Sequence, residues 1–161
     1  MSFQNDPQIV RRVLELHNDF VDTLKQSIDP NKFQTTAIFQ PFPSYMAAIS
    51  KAQGGNMLGL DEVPTDFIMF TGGVGVANGT ERDFALAQAE LNKLTAQIKE
   101  VSKSMGGEMD FVYLNYAYAF QDPLGSYGPK NVQHIRDVAA AYDPAEVFQR
   151  RVPGGFKISR V

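Results

Sequence analysis

The polar and aromatic side chains with the clearest chemical potential stand together in the segment DFVYLNYAY, residues 110–118. They are Tyr113, Asn115, Tyr116 and Tyr118. The aromatic and β-branched composition predicts a strand, in which alternation places Tyr113 and Asn115 on one face and Tyr116 and Tyr118 on the other. A half-buried aromatic strand would explain these residues structurally. The functional alternative is a pocket in which the phenols donate hydrogen bonds to a ligand carbonyl or transfer protons.

The two histidines, His17 and His134, are far apart in the sequence. His17 falls on the apolar stripe predicted for the first helix, where a buried, hydrogen-bonded structural histidine is the default interpretation. Proton transfer by His17 is the functional alternative. Two distant histidines without a carboxylate cluster do not predict a metal site.

A glycine-rich segment, GGVGVANG, spans residues 72–79 between a predicted strand and a predicted helix. Its spacing could cradle a phosphate at a helix N-terminus. It contains no lysine, however, and no acidic residue ends a following strand where a ribose would bind. We therefore predict a flexible turn here and no cofactor site.

The overall composition limits the function classes. The 161 residues are 43% hydrophobic and 20% charged, which predicts a single globular domain spanning 1–161. The net charge of −3, without a basic block, argues against nucleic acid as a partner. The sequence has no cysteine, so disulfides and thiolate catalysis are excluded. It shows no signal peptide and no membrane span, and we expect a cytoplasmic protein without a membrane partner.

The elements that must position these residues alternate along the chain as α-β-α-β-α-β-α. Asp6-Pro7 predicts the start of the first helix, and Thr80 with Asp83 predicts a capping box on a long third helix. Strands are predicted at residues 33–40, 66–71 and 110–118. Helices between strands are compatible with parallel crossovers, so the pattern alone leaves the strand directions open.

Three short motifs near the C-terminus carry a family resemblance. They are Tyr113-Leu114-Asn115-Tyr116, then Tyr127-Gly128 with Asn131, then Tyr142-Asp143-Pro144 with Phe148. Their order and spacing over about residues 110–161 resemble the terminal signature of berberine-bridge-like, FAD-linked oxidoreductases. The upstream FQPFP segment is similar to the substrate domain of the fungal members, so the resemblance covers nearly the whole chain.

The resemblance implies an α+β fold, an antiparallel β-sheet with helices packed on one face, for which a dimeric α+β barrel is one arrangement. It also implies that Tyr116 lies near flavin and substrate. Tyr118 departs from the family pattern, which usually has Asp at this position. The flavin-binding half of such enzymes is absent from these residues, so FAD would be expected only with a flavin-binding partner chain.

An antiparallel sheet with helices on one side leaves one face to be covered, and we expect a homodimer, sheet face against sheet face. The enclosed cavity would bind an apolar small molecule. The residues expected to line it are Thr36, Ile38, Gln40, Ile68, Phe70 and Tyr118. Tyr116, Tyr113, Asn115 and His17 are the candidate catalytic residues.

Three functions fit these expectations. The first is a flavin-free enzyme that catalyses isomerisation, cyclisation or a pericyclic step on an apolar specialised metabolite. The second is the C-terminal part or a subunit of an FAD-dependent oxidoreductase. The third is a small-molecule-binding protein without catalysis.

Overall fold

A computed structural model describes residues 1–61 and 63–161 and has the predicted α+β architecture. Its strands are β1 (Ser2–Gln4), β2 (Phe33–Phe42), β3 (Phe67–Val76) and β4 (Glu108–Met109). Its α-helices are α1 (Pro7–Lys25), α2 (Ser44–Ala52), α3 (Glu81–Ser104), α4 (Pro129–Tyr142) and α5 (Val147–Arg150). Within the described ranges, no helix is both long and apolar enough to cross a bilayer.

The sheet is antiparallel, with the strand order β2-β3-β1-β4. The central strand β1 pairs with β3 through Phe3 opposite Ile68, and with β4 through Ser2 opposite Met109. The structure thus resolves the strand directions that the residue pattern left open. The antiparallel arrangement expected from the family resemblance is confirmed.

One face of the sheet is covered by α1 and α3, which pack against each other. The buried side chains of α1 are Ile9, Val13, Leu16, Phe20 and Leu24, and those of α3 include Ala87, Leu94 and Ile98. Leu14 is three residues before His17, on the stripe predicted to be apolar, and is 44% exposed. α1 carries apolar residues on two adjoining stripes, and burial selects the stripe that contains Phe20.

Local capping fixes where α1 and α3 begin, as the sequence predicts. Asp6 accepts hydrogen bonds from the backbone N–H groups of Gln8 at 2.6 Å and Ile9 at 3.3 Å. At α3, the Thr80 hydroxyl accepts from the Asp83 N–H, and the Asp83 carboxylate accepts from the Thr80 N–H. Both arrangements satisfy helix N–H groups that would otherwise lack partners.

Residue contacts divide the chain into two compact units. The sheet unit comprises Ser2–Pro41 and Phe67–Met109, and the second unit comprises Met1, Phe42–Asp66 and Asp110–Val161. In the second unit Asp66 caps α2, because its Oδ1 accepts from both the backbone N–H and the hydroxyl of Ser44 at 2.8 Å. Within α2 only Ala47 is buried.

Two predicted elements differ in the structure. The predicted strand 110–118 is absent, and Leu114–Tyr116 forms one turn of 3-10 helix instead. The predicted glycine-rich turn is mostly strand, because β3 continues to Val76. Aromatic composition does not determine a strand without a neighbouring strand to bond, and glycines can remain in a ladder when that neighbour is present.

Candidate functional site

The exposed face of the sheet begins with β2, whose side chains alternate between half-buried and exposed positions. Gln34, Thr36, Ile38 and Gln40 project on the exposed side, and Ile38 is 52% exposed. We call these four residues, with Gly73 and Gly75 of β3, the open face. Three of the expected substrate-contacting residues (Thr36, Ile38 and Gln40) lie together here, as alternation along one strand requires.

The β3 side of the open face is bare backbone. A Cβ atom built on Gly73 would lie 2.9 Å from the Thr36 hydroxyl oxygen, so this hydroxyl occupies the space of the missing side chain. A Cβ on Gly75 would lie 3.6 Å from Gln34, an ordinary contact. Glycine within a strand is typical of sites where another group approaches the backbone closely. A groove of about 300 Å³ begins at this end, lined by residues 31–34 and 75–77.

Ile68 and Phe70 were expected to line the same surface as Thr36, and the structure places them elsewhere. Both are almost completely buried, at 3% and 5% exposure. The Phe70 ring lies 5.2 Å from that of Phe39 and 6.2 Å from that of Phe3. The two residues therefore belong to the core on the helical side of the sheet. Because successive β3 residues alternate in facing, Gly73 faces away from Phe70.

In the second unit, the 3-10 turn brings three of the candidate catalytic residues into one cluster. The rings of Tyr113 and Tyr116 meet edge to face at 5.0 Å, and the Asn115 side-chain amide donates to the Tyr113 phenol oxygen at 2.8 Å. Tyr116 is 49% exposed, whereas Tyr113 is half-buried. We call Tyr113, Asn115 and Tyr116 the tyrosine turn. A strand would have placed Tyr113 and Tyr116 on opposite faces, so their contact depends on the turn.

Tyr127 contacts the tyrosine turn through a hydrogen bond from the Leu114 backbone N–H. Its ring is 6% exposed and stacks on Phe111, with the ring centres 6.1 Å apart. Burial raises the pKa of the Tyr127 phenol, with a smaller contribution from nearby Tyr113, and a hydrogen bond from the Leu114 backbone N–H acts in the opposite direction. Tyr127 therefore stays protonated and holds the start of the turn through Leu114.

Tyr118 lies just beyond the turn, where the phenol is accessible. Its ring is 49% exposed and meets the 86% exposed ring of Phe120 edge to face at 5.6 Å. Its backbone N–H donates to the Gln121 side chain at 2.8 Å. The structure thus places Tyr118 on an exposed aromatic surface of the second unit.

His17 is half-buried on α1, in the sheet unit. Its ring lies 6.0 Å from that of Phe20, and its Nε2 atom is buried without a hydrogen-bond partner among the described residues. The expected structural histidine was hydrogen-bonded, and at Nε2 the structure corrects this. Desolvation by burial lowers the pKa of His17, which favours the neutral imidazole.

The other motif residues have clear local roles. The Asn131 side chain donates to the Tyr127 carbonyl oxygen at 2.9 Å and connects α4 to the preceding loop. The Asp143 carboxylate accepts from the backbone N–H groups of Val147 and Phe148 at 2.8 and 2.9 Å, which starts α5. These roles explain the residue types without a ligand.

Sequence reasoning missed Gln34, Gly73 and Gly75 as parts of the open face. Gln34 has the same parity along β2 as Thr36 and Gln40, so extending the alternation by one step would have found it. The two glycines could not be found in this way, because only the pairing of β2 with β3 places them beside Thr36 and Gln34.

Comparison with known proteins identifies relatives along the whole chain. It is 32% identical to the FAD-dependent monooxygenase drtC of Aspergillus calidoustus, a match that covers 100% of this chain and 30% of that protein. It is also 32% identical to the FAD-dependent monooxygenase sdcF of Emericella nidulans, over 99% of this chain and 33% of the relative. The bifunctional solanapyrone synthase of Alternaria solani is 32% identical over 74% of this chain and 22% of its own length.

No protein-family model matches the sequence, and no solved structure matches it. The chain spans about one third of the length of the two monooxygenases that it matches throughout. The chain is therefore homologous to one part of these fungal FAD-dependent monooxygenases.

Proposed function

We propose that this chain is the substrate-facing part of a fungal FAD-dependent oxidoreductase of specialised metabolism, of the berberine-bridge-like type. The observation that carries the proposal is similarity to two FAD-dependent monooxygenases over essentially all of its residues. The order of the three C-terminal motifs supports the berberine-bridge-like type. The residue types of the open face support the assignment of small-molecule binding to this chain.

The glycine-rich segment does not fit the phosphate groups of FAD. Gly72–Val76 lies within β3, so its backbone is part of a strand rather than a phosphate-binding loop. The adjoining N-terminus of α3 is already capped by Thr80 and carries Glu81 and Asp83 in its first turn. Two carboxylates at a helix N-terminus repel an anion. Dinucleotide binding is therefore assigned to residues outside this chain.

The open face supplies the interactions that would orient a substrate. Ile38 offers apolar contact, while the Thr36 hydroxyl and the Gln34 amide can donate to carbonyl or hydroxyl groups. None of the four β2 side chains on this face is charged. This combination suits an apolar molecule with a few oxygen functions, because orientation then comes from a few directional hydrogen bonds.

The tyrosine turn supplies groups that can hold or move a proton. The Tyr116 phenol is accessible, and the Tyr113 phenol oxygen is oriented by the Asn115 amide. A positioned phenol can donate to a substrate oxygen as charge develops there. Within the second unit, and independently of the open face, we assign this role to Tyr116, with Tyr113 and Asn115 as positioning residues.

A chimera tests the proposal directly. The third of the Aspergillus calidoustus monooxygenase that matches this chain would be replaced by residues 1–161. We expect the purified chimera to retain flavin, seen as visible absorbance, and to oxidise that enzyme's own substrate. The chain alone should remain colourless with excess FAD. A folded chimera that lacks flavin, or tight FAD binding by the chain alone, would contradict the proposal.

Within an active chimera, Tyr116→Phe tests the tyrosine turn. Loss of the phenol hydroxyl should lower kcat by roughly 100-fold if it transfers a proton. Tyr142→Phe is the matched control, because Tyr142 is 86% exposed on α4 and should leave kcat unchanged. Equal rates in the two variants would exclude Tyr116 from the chemistry.

A flavin-free isomerase or cyclase is the second candidate. The observation in its favour is that the tyrosine turn places the accessible Tyr116 phenol beside the oriented Tyr113–Asn115 pair, a set of groups that can move a proton. Turnover of a polyketide-like or terpenoid probe by the colourless chain, lost in Tyr116→Phe, would support it. Binding of the same probe without turnover would instead indicate a binding protein.

A further inference from the structure

β2 is the longer of the two edge strands of the described sheet. β2 ends the strand order and runs from Phe33 to Phe42 without a charged residue. Natural edge strands are usually protected by charges, bulges or prolines, and β2 has only Pro41, near its end. An edge of this kind favours pairing with another strand.

Pairing with β3 determines which backbone groups face outward. The Ala77 N–H donates to the Lys32 carbonyl at 2.7 Å, and Gly75 and Gly73 lie beside Gln34 and Thr36. Hydrogen-bonded positions alternate along an antiparallel strand, so the even-numbered residues of β2 bond to β3. The odd-numbered residues Phe33, Thr35, Ala37 and Phe39 therefore direct their N–H and C=O groups outward.

These four residues are self-complementary in one register. When two copies of β2 run antiparallel with Thr36 opposite Thr36, Phe33 faces Phe39 and Thr35 faces Ala37. Large residues then pair with large ones and small with small, and each pair is hydrogen-bonded. Shifting the register by two residues in one direction places Phe33 opposite Pro41, which has no N–H to donate. A shift in the other direction removes Phe39 from the pairing.

We propose that β2 is a homodimer interface, which joins two sheets edge to edge about a two-fold axis at Thr36. Each odd residue of one protomer bonds to its counterpart in the partner, as an isologous interface requires. The helical layers of the two protomers lie on the same side, because residues of equal parity are paired. Edge pairing leaves the open faces accessible, unlike the face-to-face dimer expected from the sequence.

The absence of native cysteine makes a cross-linking test specific. In this register the two Thr36 residues form a non-hydrogen-bonded pair, with Cα atoms about 4.5 Å apart, which is within disulfide range. Thr36→Cys should therefore form a covalent dimer under mild oxidation. Ile38→Cys is the matched control, because two residues numbered 38 lie about 13 Å apart when Ile38 faces Gln34. A mixture of Gln34→Cys and Ile38→Cys should cross-link.

Three further measurements decide the proposal. The 161-residue protein should have twice its 17.8 kDa chain mass in solution, and the amides of Phe33, Thr35, Ala37 and Phe39 should be protected from hydrogen exchange. Thr36→Lys and Thr36→Glu should each raise the dimer dissociation constant at least about tenfold, and mixing them should restore dimers. A monomer at all concentrations, or a dimer with these four amides unprotected, would overturn the proposal.

Discussion

The side-chain amide of Asn115 donates a hydrogen bond to the phenol oxygen of Tyr113, two residues earlier, at 2.8 Å. The bond spans the start of the 3-10 turn, in which Asn115 lies within Leu114–Tyr116 and Tyr113 immediately precedes it. The bond therefore links the local backbone conformation to the orientation of the phenol.

A double-mutant cycle measures this link. Tyr113→Phe and Asn115→Ala should each lower the free energy of unfolding by about 0.5–1 kcal/mol, and the double variant should cost less than their sum. The coupling should be small because Asn115 is exposed. Urea unfolding of the four proteins is the measurement, and strictly additive effects would argue against the bond in solution.

The open face should tolerate a methyl group at Gly75 but not at Gly73. Neither glycine has a positive φ, so alanine is compatible with both backbones. At Gly73 the new Cβ would meet the Thr36 hydroxyl at 2.9 Å, and we expect a loss of about 0.5–1.5 kcal/mol because the exposed Thr36 side chain must leave its rotamer. Gly75→Ala should be neutral or slightly stabilising. Thermal unfolding of both variants tests this, and equal melting temperatures would contradict it.

His17 should make the free energy of unfolding depend on pH below about pH 6.5. Burial lowers its pKa in the folded state below 6.5, so the folded protein favours the neutral ring. The stabilisation is complete above pH 6.5 and is lost as the pH falls through the lowered pKa. His17→Leu should flatten this part of the urea-unfolding profile, and at neutral pH it should not destabilise the fold, because Nε2 has no described partner.

The second histidine provides the control for this measurement. His134 is exposed on α4, and His134→Gln should retain the full acidic loss of stability. If this variant also flattened the profile, or if His17→Leu did not, the assignment of the effect to His17 would fail.

Tyr127→Phe should destabilise the second unit more than a surface substitution does. The Leu114 N–H would lose the phenol oxygen as its acceptor, at a cost of about 1–3 kcal/mol. Since burial raises the pKa of Tyr127, its stabilisation is complete below about pH 10 and is lost as the pH rises through the raised pKa. Tyr142→Phe, at an 86% exposed site, should change neither the stability nor its pH dependence. Chemical unfolding at pH 7 and in alkaline buffer tests both statements.

The sequence predicts those parts of the fold that depend on local interactions. Asp6 and the Thr80–Asp83 pair cap their helices as expected, because capping involves residues three positions apart. The predictions fail where residues distant in the sequence determine the backbone conformation. Tyr113 to Tyr118 have strand composition but no neighbouring strand, whereas Gly72 to Val76 look like a turn and are held in a ladder.

For the candidate site too, the local features were predictable from the sequence and the features that depend on distant residues were not. Thr36, Ile38 and Gln40 share a face because alternation along one strand is local. Phe70 could not be assigned to a face before the positions of Phe3 and Phe39 were known. The contact between Tyr113 and Tyr116 likewise depends on a backbone turn that aromatic composition did not indicate.

Gly75 gives the open face a step in height, since side chains rise on β2 while only backbone is present at Gly75, whereas the Thr36 hydroxyl fills the space beside Gly73. A flat fused-ring molecule could lie on the exposed glycine backbone of β3, with its edge in contact with Thr36 and Gln34. A molecule with bulky substituents on both faces of its rings cannot approach as closely. Ligands for this surface should therefore be selected by their thickness, and screening compounds ordered by planarity would rank them differently from compounds ordered by hydrophobicity.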